Sequence, residues 1–117
     1  MPRFAILRHD APSGVHYDLL LESGDVLRTW SLPEPPEAAP RQIATALPDH
    51  RLLYLHYEGE ISGGRGTVTR YDQGEYEIHS EEPTRLVAEL RGGRLAGQIV
   101  LERIEPEGQW QFEVATP

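Results

Sequence analysis

Along this chain the apolar positions recur with a period of two far more often than with a helical one, the pattern of half-buried strands. Arg3 to His9 and Val15 to Glu22 read as two strands. On the second, His16 and Asp18 project from one side, while Val15, Tyr17, Leu19 and Leu21 cover the other. Ser23-Gly24-Asp25 reads as a tight turn into a third strand, Val26 to Leu32, so the three form a meander. Pro33 to Pro40 cannot be a central strand, because four prolines remove backbone donors. Gln42 to Leu47 reads as a strand with some helical ambiguity from Pro40 onward, followed by a break at Pro48-Asp49. Another strand is expected from about Arg51 to Glu58, with His50, Leu52, Tyr54, His56 and Glu58 on one face. Further strands are expected at Thr67 to Tyr71 and Glu75 to Ser80, joined by Asp72-Gln73-Gly74. Arg85 to Leu90 and Leu95 to Ile104 follow, joined around Arg91-Gly92-Gly93, and Gln109 to Ala115 closes the series. The expected fold is all-β, a small antiparallel β-barrel or closed sandwich of about eight strands with little helix.

Composition narrows the picture. A chain of 117 residues, 38% apolar and 26% charged, matches one domain spanning residues 1–117. The absence of cysteine excludes a disulfide framework and a thiolate nucleophile, so any metal must be held by nitrogen and oxygen. The N-terminus runs straight into a strand, with no apolar segment suited to export or a bilayer, so a cytoplasmic, non-membrane setting is expected. A formal charge of -8 argues against sequence-independent coating of nucleic acid, yet leaves room for an enzyme acting on a polynucleotide end. All 11 cationic residues are arginine, which excludes lysine chemistry and leaves arginine as the permanent phosphate partner.

The densest chemistry lies between His9 and Glu22. Pro12-Ser13-Gly14 has turn composition, so the chain can reverse and bring His9 alongside His16 and Asp18 across an antiparallel pair. Two imidazoles and one carboxylate with open positions suit a divalent ion such as Mn, Fe or Zn. The alternative is ordinary polar residues on the wet face of a hairpin. Ile61-Ser62-Gly63-Gly64-Arg65-Gly66 is glycine-rich, but it lacks the Gly-Lys-Ser/Thr ending and helix of a phosphate-cradling loop and reads as a turn.

Several ordered blocks resemble the 3'-phosphoesterase domain family of bacterial DNA ligase D. The opening signature appears as Arg8-His9-Asp10-Ala11 and His16-Tyr17-Asp18-Leu19-Leu20-Leu21-Glu22, with one residue more between the two than in the family. Trp30-Ser31-Leu32-Pro33, Asp49-His50 through Tyr54 to Glu58-Gly59, Gly66-Thr67-Val68 and Tyr71-Asp72-Gln73-Gly74 follow in the family's order. The resemblance implies a manganese ion on His9, His16 and Asp18, with zinc or cobalt as other candidates, and His50 and Tyr54 near the scissile phosphate. It also exposes departures. Leu20 stands where the family carries a phosphate-gripping arginine, Glu34 where it carries a lysine, and Gln42 and Pro48 near a family arginine and glutamate. Arg41, one position from that arginine, is the candidate substitute for binding substrate.

The resemblance therefore implies a metal-dependent phosphoesterase, a monomer that removes a 3'-phosphate or 3'-ribonucleoside from DNA or RNA-tipped DNA beside ligase or polymerase components of end joining. The alternative is a catalytically weak or inactive accessory module of the same system, favoured by Leu20 and Glu34. A cupin-like oxygenase lacks its His-x-His pair. His56 and His79 read as surface histidines, Glu22 and Glu58 as ligand-orienting or solvated carboxylates, Asp10 as a turn residue, and Trp30 and Trp110 as core.

Overall fold

The computed structural model describes residues 1–115. Nine strands carry the chain: β1 (Arg3–Ala11), β2 (Gly14–Ser23), β3 (Val26–Leu32), β4 (Arg41–Arg51), β5 (Gly59–Glu60), β6 (Thr67–Glu82), β7 (Arg85–Gly92), β8 (Ala96–Arg103) and β9 (Gln109–Ala115). They hydrogen-bond in the order β1-β2-β3-β4-β9-β8-β7-β6, and β1 pairs again with β6 to close an antiparallel ring. The two-residue β5 attaches to the free edge at the start of β6. The all-β, closed antiparallel architecture expected from the sequence is the one observed.

Two apolar clusters sit on opposite faces of the sheet. The larger fills the ring with Phe4, Ile6, Leu19, Leu21, Trp30 and Phe112 among others, and Trp30 meets Trp110 edge-on at 5.8 Å. The smaller lies outside the ring, where Ala5, Leu7, Leu20, Leu27 and Val68 are covered by Leu55. This double burial explains why Phe4 to Leu7 and Leu19 to Leu21 are continuous apolar runs, since neither face of either strand meets water there.

Three expected boundaries differ. The break at Pro48-Asp49 is absent, because β4 continues through a bulge in which Leu47 to His50 oppose only Leu27 to Thr29. The strand expected from Arg51 to Glu58 is replaced by a single 3-10 turn, Leu52–Leu55, so the common strand face assigned to His50 and Tyr54 does not exist. Its Leu55 is needed as a lid on the outer cluster, and β7 and β9 already complete the neighbouring pairings. Nor is there a turn at Asp72-Gln73-Gly74, where β6 runs unbroken over 16 residues. Gly74 instead permits a close approach, since a Cβ there would lie 2.0 Å from the Arg91 carbonyl oxygen.

Asp72 has an equally structural use. Its buried carboxylate accepts hydrogen bonds from the backbone N–H groups of Gln73, Gly93 and Leu95 at 2.8 Å each and of Arg94 at 3.1 Å, tying the β7–β8 turn to β6. Removing it strands buried donors, each costing about 1–3 kcal/mol. Asp72→Ala is therefore expected to destabilise the protein by about 3 kcal/mol in urea unfolding, with an unchanged m-value. A loss below about 0.5 kcal/mol would contradict this role.

Candidate metal centre and cleft

The outer face of β1 to β4 carries a cleft of about 660 Å³, within the range of small-molecule sites. Its floor includes Leu7 and Val68, and its polar wall is built from His9, His16, Asp18 and His50. Because Ala11 pairs with Gly14 around the two-residue Pro12-Ser13 turn, the register makes His9 and His16 direct cross-strand partners. Their rings lie 4.5 Å apart, and Asp18 follows on the same face as His16. His9 Nδ1 approaches His16 Nε2 at 3.0 Å and Asp18 Oδ2 at 3.8 Å, while His16 Nε2 stands 3.3 Å from Asp18 Oδ1. One donor atom from each of the three residues lies within 4.8 Å of the others.

The surroundings suit these atoms to a cation. Asp18 is only 4% exposed, and among the described residues its Oδ1 accepts no aligned hydrogen bond. Burial pushes the Asp18 carboxyl above the ordinary range, against the opposing pull of His16, His9 and His50. His9 Nε2 donates to the Arg65 carbonyl at 2.7 Å, an acceptor that assigns the proton to Nε2 and leaves Nδ1 as a lone-pair donor. That carbonyl reaches His9 because the glycine-rich loop lies directly on β1. Gly66 has φ +94°, and a Cβ on it would fall 1.9 Å from the Asp10 carbonyl oxygen.

His50 reaches the cleft through the β4 bulge. Without the extra residue it would point into the ring; with it, His50 pairs opposite Leu27 and shares the outer face. Its Nδ1 donates to the Pro48 carbonyl at 2.9 Å and lies 3.1 Å from Thr29 Oγ1, whose own proton goes to the Leu27 carbonyl. Nε2 is thus its free nitrogen. Tyr54 packs edge-on against His50 at 5.6 Å and against Tyr57 at 5.7 Å. The 3-10 turn bearing it is held by Arg70, whose guanidinium donates to the Leu55 carbonyl at 3.0 Å.

Five of the six residues singled out in the sequence thus meet at the cleft, and Arg41 does not. Its exposed guanidinium sits 3.2 Å from Glu113 Oε1, outside the cleft lining. Leu20 lies on the same strand face as Asp18 but is sealed beneath Leu55, not presented to the cleft. Glu34 and Gln42 also lie elsewhere: Gln42 bonds the Glu34 N–H and carbonyl and the Ala39 carbonyl, latching the proline loop. Glu22 pairs with Arg3, and Glu58 accepts from the Arg70 N–H, so neither touches the histidines. Sequence reasoning missed Thr29 behind His50 and the cleft-lining Arg51 and Arg65. The signal for Arg65 was an arginine embedded in a glycine-rich turn.

Residues 7–103 match the model of a family described as the DNA Ligase D 3'-phosphoesterase domain. The chain is 34% identical over 109 residues to the multifunctional non-homologous end joining protein LigD of Mycobacterium bovis, covering 86% of this chain and 14% of that protein. It is 32% identical over 121 residues to the LigD of Pseudomonas aeruginosa, covering 92% of this chain and 14% of that protein. The chain therefore spans about one seventh of the length of these relatives.

The buried carboxylate yields a pH-dependent expectation. A carboxyl whose folded-state pKa lies above its unfolded value of about 3.9 leaves stability intact at low pH and erodes it as pH rises through the folded pKa. Asp18→Asn without added metal is thus expected to be more stable than the wild type at pH 7, by on the order of 1 kcal/mol. The gain should vanish below about pH 4. Urea melts at both pH values check it, and a less stable Asp18→Asn protein at pH 7 would contradict it.

Proposed function

The chain belongs to the DNA Ligase D 3'-phosphoesterase domain family, and from that premise we propose that it is a divalent-metal-dependent phosphoesterase acting on 3' ends in end-joining DNA repair. The observation that carries the proposal is the convergence of His9 Nδ1, His16 Nε2 and the buried Asp18 carboxylate, whose Oδ1 accepts no aligned hydrogen bond among the described residues, on the polar wall of a nucleotide-sized cleft. Nitrogen and oxygen donors suit manganese, with zinc or cobalt as alternatives. The substrate in this reading is DNA or RNA-tipped DNA ending in a 3'-phosphate or a 3'-ribonucleoside. The setting is cytoplasmic, beside ligase or polymerase components.

A divalent ion bound there supplies Lewis acidity toward a phosphoryl oxygen and makes water a better nucleophile at neutral pH. The protein's own groups supply position and protons. The Arg65 carbonyl keeps the His9 proton on Nε2, so that Nδ1 faces the ligand set. His50 Nε2, freed by the Nδ1 bonds, serves in its protonated form as donor to a non-bridging oxygen or to the leaving group. The Tyr54 ring restricts the rotation of His50 and its hydroxyl orients the phosphate. The apolar floor of Leu7 and Val68 removes water from one side of the site.

A second reading, an accessory module with little turnover, draws on Leu20, which fills the place of a phosphate-binding arginine with a buried side chain. One comparison separates the two. The wild type should release phosphate from a 3'-phosphorylated primer when Mn is added, and His9→Ala should lower that release more than a hundredfold. Mn at about a hundred times Kd should also stabilise the wild type by about 2.7 kcal/mol and His9→Ala far less. Thermal stabilisation by Mn without phosphate release would favour the module.

A further inference from the structure

The departures from the family pattern leave the phosphate without its usual cationic partner on β2, and the structure shows which groups remain. With no lysine in the chain, the grip must come from arginine. Arg3, Arg8, Arg28, Arg41, Arg85 and Arg91 each lie within 2.6 to 3.9 Å of a carboxylate. Arg70 is spent on the Leu55 carbonyl, and Arg94 stacks on Tyr71 at 4.2 Å. Arg51 and Arg65 line the cleft, and among the described residues neither is paired with a carboxylate.

They approach from opposite sides. Arg65 belongs to the loop whose carbonyl holds His9 on β1, and Arg51 follows His50 at the end of β4. Both line the same cleft of about 660 Å³ as His9, His16, Asp18 and His50, so one ligand in that cleft can meet both. The Arg65 side chain is also preset. Its Nε donates to the Ser62 carbonyl at 2.8 Å and one terminal nitrogen lies 3.4 Å from Ser62 Oγ, which holds the guanidinium while leaving donors free.

We propose that Arg51 and Arg65 form the phosphate grip of this protein, clasping the terminal 3'-phosphate from the two ends of the cleft in place of an arginine on β2. The inference rests on the reading that the ligand is a phosphorylated 3' end. Recognition is then confined to the terminus. The outer surface is acidic and most other arginines are neutralised, so the remaining nucleic-acid backbone gains little. Two phosphate contacts on a single strand predict a salt slope of about -1.4, or a loss of about sevenfold between 50 and 200 mM salt. A surface making 6–10 contacts would lose about 10³–10⁵.

The test is equilibrium binding in EDTA, where no turnover occurs, of labelled single strands ending in 3'-phosphate or 3'-hydroxyl. The wild type should prefer the 3'-phosphate by about a hundredfold, taking each charged contact at about tenfold. Arg51→Gln and Arg65→Gln should each reduce that preference about tenfold, the double variant should abolish it, and Arg65→Lys should keep part of it. Arg103→Gln, remote from the cleft and equal in charge change, should leave it intact. No preference in the wild type, a preference retained by the double variant, or an equal loss in Arg103→Gln overturns the inference. Matching thermal melts exclude misfolding of the exposed-site variants. A wild type that discriminates the 3'-phosphate yet releases none with Mn keeps the grip and removes the hydrolytic reading.

Discussion

Ligand atoms on two neighbouring strands stay aligned only while those strands keep their register, and everything at this site depends on the register of β1 against β2. The Pro12-Ser13 turn sets it by pairing Ala11 with Gly14. Packing then locks it, because Phe4 and Ile6 fill the ring while Ala5 and Leu7 meet Leu20, Leu55 and Val68 outside. A shift by one residue would exchange these faces, forcing Phe4 into the space of Ala5 and setting His9 opposite Val15 or Tyr17. The same double burial that stabilises the hairpin therefore keeps two imidazoles and a carboxylate facing each other.

Against that fixed pair the remaining groups are placed by irregularities. An extra residue in β4 turns His50 from the ring interior to the outer face. A glycine at position 66 lets a loop press its carbonyl onto His9. A 3-10 turn brings Tyr54 to His50 while its Leu55 caps the outer cluster. Each device spends regular hydrogen bonding or side-chain bulk, and the outer apolar cluster offsets part of that cost, a buried leucine contributing about 1.5–3 kcal/mol. The Asp18 Oδ1 atom, buried with no aligned hydrogen bond among the described residues, is a cost that these groups leave uncompensated.

What could be read from sequence follows the same division. Val26–Leu32 was located to the residue by the Ser23-Gly24-Asp25 turn signal before it and the prolines after it, and Gln109–Ala115 by alternation, because Trp110, Phe112 and Val114 pack inward and the period of two survives there. The His9, His16 and Asp18 group was legible because parity and a short turn are local properties. Tyr54 was brought to His50 by a turn whose formation depends on Leu55 meeting a cluster drawn from β1, β2, β3 and β6, and no local pattern encodes that. Asp72-Gln73-Gly74 misled for a related reason. Its turn-forming residues serve a distant loop's N–H groups and a close approach to Arg91, both long-range demands.

The four departures from the family pattern gain a common logic in the structure. Leu20 belongs to the outer cluster, Pro48 sits where the β4 bulge needs no donor, and Glu34 and Gln42 bond each other across the proline loop. None is a vacancy at the cleft edge: Leu20 packs in the outer cluster, the Gln42 side chain holds the Glu34 backbone, and the Pro48 carbonyl accepts from His50. A guanidinium at position 20 would have to displace Leu55 or lie buried beneath it, so restoring the family residue alone would trade packing for a desolvated charge. Cationic character at the cleft consequently comes from its margins, where Arg51 and Arg65 are exposed and, among the described residues, unpaired with carboxylates.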